Sequence, residues 1–251
     1  MELSRKPFQG VSNIVRFNWH FYLIATLVVM GLVIVNETLL VNFHPYSSWL
    51  LLLGVLPIVI SLVVSYFVYD LSDLYQFRWL SNLNGKTVLN INAGFDETSA
   101  FIKAKNPNSI LMVCDFYDPN QHTEVSIQRA RKLYPPFKGT IQVNTKELPF
   151  LDNAFDVTVA ILSAHEIRNE EERIHFFKEL NRVTKEDGQI MVTEHLRDLN
   201  NFLAYTIGFL HFYSKASWLN LFKKANLLLK EEIKTTPFIS TFILENNGHT
   251  L

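Results

Sequence analysis

The chain has 251 residues, of which 48% are hydrophobic and 13% aromatic, including 20 phenylalanines. That length allows one or two domains. The formal net charge of -1 and the pI of about 6.7 give no overall basic field of the kind that draws a protein to nucleic acid, so no nucleic-acid partner is expected. The one cysteine, Cys114, excludes an internal disulfide, and its apolar neighbours predict a buried thiol.

Two apolar runs near the N-terminus predict a membrane-spanning helical hairpin. The first covers about residues 19–41 and the second about 47–69, and a helix needs about 20 mostly apolar residues to cross the hydrocarbon core. Pro57 lies in the middle of the second run, where it predicts a kink. A signal peptide is the first alternative, but no A-x-A-like cleavage site is visible and a second span follows at once. A buried helical hairpin of a soluble domain is the second alternative, and the uncharged length opposes it.

Charge placement orients this hairpin and divides the chain. The loop between the runs has no Lys or Arg, whereas the flanking segments carry Arg5, Lys6, Arg16, Arg78 and Lys86. The positive-inside rule then places both termini in the cytoplasm, with a lipid bilayer as partner. The predicted organisation is a cytosolic segment over 1–18, the hairpin over 19–70, a linker over 71–85 and a soluble domain over 86–251.

Strand-like and helix-like patterns alternate through the soluble domain. Apolar runs predict strands, and periodic apolar residues bounded by caps predict helices. The predicted strands cover 87–91, 109–114, 140–143, 156–162 and 189–193, and the predicted helices cover 96–105, 123–134 and 170–183. A helix over 217–229 and an antiparallel strand pair over 230–235 and 239–244 follow. This α/β order implies a largely parallel sheet with ligands beyond the carboxyl ends of its strands.

Two segments carry a family resemblance. Residues 148–157 read Leu-Pro-Phe-Leu-Asp-Asn-Ala-Phe-Asp-Val, and a later segment combines Glu179, Arg182 and Val183 with a turn at Gly188. Both resemble class I S-adenosylmethionine (SAM) dependent methyltransferases of the type 11 kind, over about residues 86–246. The resemblance implies a Rossmann-like methyltransferase sheet with an antiparallel C-terminal strand pair, SAM as cofactor and methyl transfer as the reaction.

The first turn departs from that family's pattern. The family has an acidic residue and three glycines where this chain has Asn90, Asn92, Gly94 and Asp96, so only Gly94 is retained. Asn92 is expected to replace a glycine by adopting a left-handed conformation. Asp96 is expected either to bind the cofactor's ammonium group or to cap the following helix.

The resemblance also implies contacts after the later strands. Asp115 stands where the family binds both ribose hydroxyls, because one carboxylate accepts two hydrogen bonds, and the alternative is an ordinary turn residue. Phe116 beside it is expected to cover the adenine. Thr145 and Ser163 complete the predicted cofactor-binding set.

Two clusters of charged residues and histidines follow the fourth and fifth strands. His165 and His195 are candidate general bases, because an imidazole near its ordinary pKa suits that role. Arg168 is a candidate partner for a substrate anion, and Glu166 lies beside it. A metal site built from His165, Glu166, Glu194 and His195 lacks tight ligand spacing, so no metal is predicted. The remaining alternative is a salt-bridge network of Glu166 or Glu194 with Arg168, Arg182 or Arg197.

A stretch rich in aromatic and apolar residues, 202–218, follows the fifth strand, and we call it the aromatic insert. It is expected to cover an apolar substrate or enter the bilayer interface, or else to pack against the hairpin or the sheet. The working hypothesis is methyl transfer to a hydrophobic, membrane-associated acceptor such as a lipid, a quinone or an apolar aromatic. The main alternative is an inactive methyltransferase-like binding or scaffold protein, which the altered first turn favours.

Overall fold

The N-terminal part of the computed structural model is helical, and the structure describes residues 5–38, 44–122 and 124–248. Residues 39–41 of the first predicted span lie outside the described residues. The helices are α1 (Gln9–Phe17), α2 (Trp19–Thr38) and α3 (His44–Tyr66), and α3 continues into a π-helical turn (Phe67–Leu71) and a 3-10 turn (Asp73–Gln76). Pro57 lies inside α3 without ending it.

The hairpin formed by α2 and α3 is apolar yet poorly covered by protein. Its two most apolar stretches have mean hydropathies of 1.9 and 2.6, and only 6% and 11% of their residues are buried. Leu27 is 58% exposed and Leu53 is 65% exposed, whereas Leu89 in the sheet is 0% exposed. A helix in the core of a soluble protein hides its apolar face. Both helices are therefore long and apolar enough to cross a membrane.

A seven-stranded mixed sheet forms the rest of the molecule. Its order is β3-β2-β1-β4-β5-β7-β6, in which the first five strands are parallel and the last two run antiparallel. The strands are β1 (Thr87–Asn92), β2 (Ile110–Asp115), β3 (Ile141–Gln142), β4 (Phe155–Ile161), β5 (Thr184–His195), β6 (Leu227–Thr236) and β7 (Ile239–Asn246). The helices of this part are α4 (Ser99–Lys105), α5 (Val125–Leu133), α6 (Glu170–Val183), α7 (Leu199–Tyr205) and α8 (Lys215–Lys224).

The central parallel strands β1 and β4 are buried along nearly their whole length, as expected of parallel strands covered by helices on both faces. α6 begins where the Asn169 side chain accepts a hydrogen bond from the Glu172 amide, and three glutamates fill its first turn. Its apolar face then buries Phe176, Phe177 and Leu180 against one side of the sheet. These contacts hold α6, which connects β4 to β5, against the sheet.

Most predicted elements are confirmed, and the C-terminal ones need correction. The predicted helix over 217–229 ends at Lys224, and residues 227–229 begin β6 instead. The fifth strand starts at Thr184 and not at Gln189, so it includes the Asp187-Gly188 turn signal. The first error comes from sheet pairing, because residues 227–229 pair with β7 and this tertiary pairing overrides local helical periodicity. The second comes from the pairing of Thr184 with Phe155, after which the β4–β5 register shifts and resumes at Gln189.

Candidate active site

The carboxyl ends of β1, β2, β4 and β5 meet at one side of the sheet, which we call the carboxyl edge. At the end of β1, Gly94 has a φ of 92°, and its amide donates to the Asn92 side-chain oxygen at 2.9 Å. Asn92 itself is the last residue of β1 and keeps an extended backbone. The expectation that Asn92 is left-handed is therefore wrong: Gly94 makes the turn, and the Asn92 side chain supports it.

Asp96 serves the helix that follows this turn. One carboxylate oxygen accepts hydrogen bonds from the Thr98 and Ser99 amides at 2.9 Å, which confirms the capping alternative. The other oxygen, Oδ2, is buried and has no partner among the described residues. Asp96 thus keeps one acceptor for a ligand while it caps α4.

Asp115 ends β2 and is 4% exposed. One of its oxygens accepts from the Tyr117 amide at 2.8 Å, and the other pairs with the Arg131 guanidinium of α5. That guanidinium lies 4.7 Å from the centre of the Tyr117 ring and fills the space over Gly94, where a Cβ would collide with it. A ligand that takes both oxygens of Asp115 would therefore compete with Arg131.

The other predicted cofactor contacts are engaged inside the protein. Phe116 is 1% exposed and packs against His122 and Phe176, so it faces the core and not an adenine pocket. The Thr145 hydroxyl donates to Glu172 at 2.6 Å. The Ser163 hydroxyl donates to the Ile91 carbonyl at 3.2 Å and ties the end of β4 to β1.

Several buried polar atoms around the first turn lack partners. They are the Asn92 Nδ2, the Asp96 Oδ2 and the Tyr117 hydroxyl, considering only the described residues. Leaving such groups without hydrogen bonds costs free energy, so unpartnered polar groups on residues within two positions of Gly94 or Asp115 are candidates for ligand contacts. The chemistry of these groups fits SAM: the Asp115 carboxylate would accept from ribose hydroxyls in exchange for Arg131, and the unpaired Asn92 and Asp96 atoms would serve polar groups beside Gly94.

A second cluster lies at the ends of β4 and β5. His165 Nδ1 is 2.6 Å from a carboxylate oxygen of Glu194, and His165 Nε2 is 3.1 Å from Glu166. Burial acts to lower the pKa of His165, but the charges and hydrogen bonds of Glu194 and Glu166 outweigh it and raise that pKa to about 10. At neutral pH His165 therefore already carries its proton.

Glu166 connects this cluster to the aromatic insert. Its carboxylate lies 3.6 Å from His211 Nε2, and His211 is 30% exposed. Burial acts to raise the pKa of Glu166, but hydrogen bonds with His165 and His211 hold it well below its usual range. The exposed Arg168 donates to the ring and to the backbone carbonyl of His211.

His195 is placed differently from His165. Its Nε2 is 2.7 Å from the Tyr69 hydroxyl and its Nδ1 is 3.0 Å from the Asn201 side-chain oxygen. Burial lowers the pKa of His195 to about 4, against smaller opposing contributions that include the Asn201 hydrogen bond. His195 is neutral and bonded on both sides, so it ties the hairpin to the sheet and has no free nitrogen for a substrate proton.

The predicted arginine network does not form. Arg168 contacts His211, and Arg197 donates to the backbone carbonyls of Leu210 and Phe212. Arg182 instead joins the two segments that carry the family resemblance, because it bonds the Leu148 and Phe150 carbonyls as well as Glu179 and Asp152. Glu166 and Glu194 are paired with histidines, as described above.

Sequence reasoning missed three residues of this edge: Arg131, His211 and Tyr69. His211 lies in the aromatic insert, where it stands out as a histidine among apolar residues. Arg131 lies on α5 among other basic residues, and nothing in the sequence distinguishes it from them as a site residue. Tyr69 ends the predicted hairpin, and only the packing of that end onto β5 reveals it.

Comparison with known proteins agrees with this geometry. Residues 99–192 match the family model described as a methyltransferase domain. A SAM-dependent methyltransferase from Aquifex aeolicus superposes with a TM-score of 0.52 at 14% identity, covering 75% of this chain and 97% of the other. The pyocyanin biosynthetic protein PhzM gives a TM-score of 0.53 at 10% identity, covering 74% of this chain and 57% of the other. No curated protein matches the sequence significantly.

The strand order and the matched segment agree on one fold. The sheet domain has the α/β fold of class I SAM-dependent methyltransferases, and residues 99–192 within it match the methyltransferase-domain model. SAM is the cofactor that this match indicates.

Proposed function

We propose that this chain is a membrane-anchored methyltransferase whose acceptor is a hydrophobic, membrane-associated molecule such as a lipid, a quinone or an apolar aromatic. The observation that carries the proposal is the place where the hairpin meets the sheet. The Tyr69 hydroxyl, just after α3, bonds His195 at the end of β5, and Phe67 packs edge-on against Phe238. The end of the hairpin therefore lies on the carboxyl edge, beside the candidate active site.

The aromatic insert supports the same proposal. Its first helix, α7, packs against α3, and its later part supplies His211 to the cluster at the ends of β4 and β5. Large apolar side chains are exposed on the outer surface of the insert and on Leu199, the first residue of α7. They are Leu199 (69%), Phe202 (44%), Leu203 (59%), Ile207 (81%) and Leu210 (55%). An apolar surface that continues from a membrane helix to a binding site is suited to a ligand that partitions into the bilayer.

Methyl transfer requires that the acceptor be aligned with the methyl group of SAM and that water be excluded. SAM supplies a methyl group already activated on a sulfonium. The protein binds the acceptor beside that group, and an anchored site raises the effective concentration of an acceptor confined to the same membrane. The proposed place for the acceptor is beside the ends of β4 and β5, where His165 lies between Glu166 and Glu194.

Both termini are proposed to be cytoplasmic. The contact of Arg5 with Glu97 at 3.0 Å supports placing the N-terminal segment and the sheet domain on one side of the membrane. The basic residues that flank the hairpin support that side being the inner one. A reporter fused after Leu251 is expected to be active in the cytoplasm, and activity on the opposite side would refute this orientation.

Nanodiscs that contain the full chain and a total lipid extract test the acceptor class. With SAM labelled on its methyl group, we expect the label to enter the organic phase. Ile207→Asp on the insert should reduce this transfer about tenfold, because a carboxylate resists entry into the interface. Leu151→Asp is the matched control, since Leu151 is equally exposed at 84% but lies before β4, away from the carboxyl edge. Equal rates in the two variants, or label confined to water-soluble products, would refute a membrane-associated acceptor.

An inactive scaffold is the second candidate, and the Arg131–Asp115 pair favours it because the pair fills the place of a ribose contact. Calorimetric titration of the detergent-purified chain with SAM separates the two. Heat that saturates supports the enzyme. No heat for the wild type, together with no methyl transfer, would leave the scaffold.

A further inference from the structure

We infer that His165, Glu166 and His211 form a binding site for a divalent first-row transition metal, of which Zn²⁺ is the representative. One ligand atom from each residue lies within 4.8 Å of the others. The site is formed by a 3-10 turn after β4 (Ala164–Glu166) and by the last residue of a 3-10 turn within the aromatic insert (Thr206–His211), so His211 joins the adjacent His165 and Glu166 only in the folded chain. The inference does not depend on the identity of the methyl acceptor.

The spacing of the ligand atoms suits such an ion. Glu166 Oε1 lies 3.1 Å from His165 Nε2 and 3.6 Å from His211 Nε2. Ligands about 2.05 Å from a tetrahedral zinc ion are about 3.3 Å from one another. Two imidazoles and one carboxylate are also ligands that select transition metals over Mg²⁺, which prefers oxygen. His211 is 30% exposed, which leaves one side of the site open.

Glu194 supplies the support that a ligating histidine needs. Its side chain is 0% exposed, and its carboxylate contacts both Nδ1 and the backbone amide of His165, at 2.6 and 3.2 Å. Among the described residues it has no Lys or Arg partner. A carboxylate that holds the Nδ1 proton of a histidine directs Nε2 at the metal and increases the basicity of that nitrogen.

The negative charge of the buried carboxylates at this site also favours binding of a cation. Glu166 and Glu194 bring two carboxylates into a site where they are 5% and 0% exposed. In the structure the guanidinium of Arg168 supplies positive charge and lies against the ring nitrogens of His211. Arg168 is an exposed side chain, so it is free to leave when a metal takes its place.

Cobalt titration of the full chain, purified in detergent without a histidine tag and stripped with a chelator, tests the site. We expect visible absorption of the strength that four- or five-coordinate Co²⁺ gives, and we expect Zn²⁺ but not Mg²⁺ to remove it. His211→Ala should weaken binding at least tenfold, and Glu194→Gln by about 10–100-fold. Arg168→Gln should strengthen binding severalfold, because it removes a competing charge.

His175→Ala is the matched control, because His175 is an exposed histidine on α6 away from the cluster. Circular dichroism of each variant identifies any loss of folding, and Arg168→Gln keeps the test valid even where Glu194→Gln fails to fold. No cobalt absorption in the wild type would overturn the inference. Equal affinities of the His211→Ala and His175→Ala variants would do the same. SAM calorimetry on the same samples reports separately on the methyltransferase site.

Discussion

The two halves of the carboxyl edge neutralise their buried carboxylates in different ways. At β2, Asp115 pairs with Arg131, whose side chain is 34% exposed and comes from a helix. At β5, Glu194 pairs with His165, whose side chain is 12% exposed and sits one turn beyond the neighbouring strand. A long, partly exposed guanidinium arm is easily displaced, whereas a short buried imidazole is not. We call the half at β2 the cofactor half and the half at β5, where the acceptor is proposed to bind, the acceptor half. The cofactor half is therefore expected to exchange Arg131 for a ligand, while the acceptor half keeps the His165–Glu194 pair.

The largest expected effect tests the cofactor half. Asp115→Ala should lower the affinity for SAM about 100-fold, or about 3 kcal/mol, because the variant loses two hydrogen bonds to a charged acceptor. Calorimetric titration of the detergent-purified chain measures it. Asp118→Ala, three residues further along in an exposed turn, is the control and should bind like the wild type. Unchanged affinity in Asp115→Ala would remove Asp115 from the site.

A smaller effect tests the acceptor half through acid stability. His195 has a folded-state pKa of about 4, below its ordinary 6.5, so the unfolded chain binds its proton first as the pH falls. The stability contribution of neutral His195 is complete above pH 6.5 and is lost toward pH 4. His195 alone should lower the free energy of unfolding by about 2 kcal/mol between pH 7 and 5, and His165, whose pKa is raised, should offset part of that loss.

Thermal unfolding followed by tryptophan fluorescence measures this loss in detergent. His195→Gln should flatten the dependence between pH 7 and 5, because glutamine does not titrate there. His175→Gln is the control, since that exposed histidine on α6 should leave the wild-type dependence intact. A dependence that persists in His195→Gln would assign the acid sensitivity to other groups.

The smallest expected effect tests whether SAM displaces Arg131 from Asp115. Arg131→Gln should raise the affinity for SAM severalfold, or about 1 kcal/mol, because the partly exposed pair with Asp115 no longer has to be broken. Lys132→Gln removes the same charge from an exposed position on the same helix and should have little effect. Weaker binding by Arg131→Gln would mean that Arg131 contacts the cofactor, and the comparison between the two halves would then fail.

Much of the fold followed from local pattern. The alternation of apolar strands and capped helices predicted the five parallel strands, and α6 begins and ends where its glutamates and its apolar period indicate. The resemblance pointed to residues 148–157 and to Arg182, which the structure brings into contact. Helical periodicity failed at residues 227–229, where pairing between β6 and β7 decided the conformation.

The site was predicted less completely, for a physical reason. Asp115, His165 and Glu166 follow strands directly, so their place at the carboxyl edge is set by chain order. His211 and Tyr69 reach the same edge from distant segments, and no local signal marks such an approach. Asn92 shows the opposite case, because the predicted left-handed conformation does not occur there: Gly94 is the left-handed residue, and the Asn92 side chain accepts from its amide.

The sequence by itself determined the two apolar helices, the α/β alternation and the strand ends where polar residues collect, because each depends on neighbours within a few positions. Only the tertiary structure decided that Arg131 covers Asp115, that His195 is neutral while His165 keeps its proton, and that His211 joins Glu166. Those outcomes depend on burial and on charges brought together across the fold. Two histidines that look alike in the sequence thereby have their pKa values shifted in opposite directions.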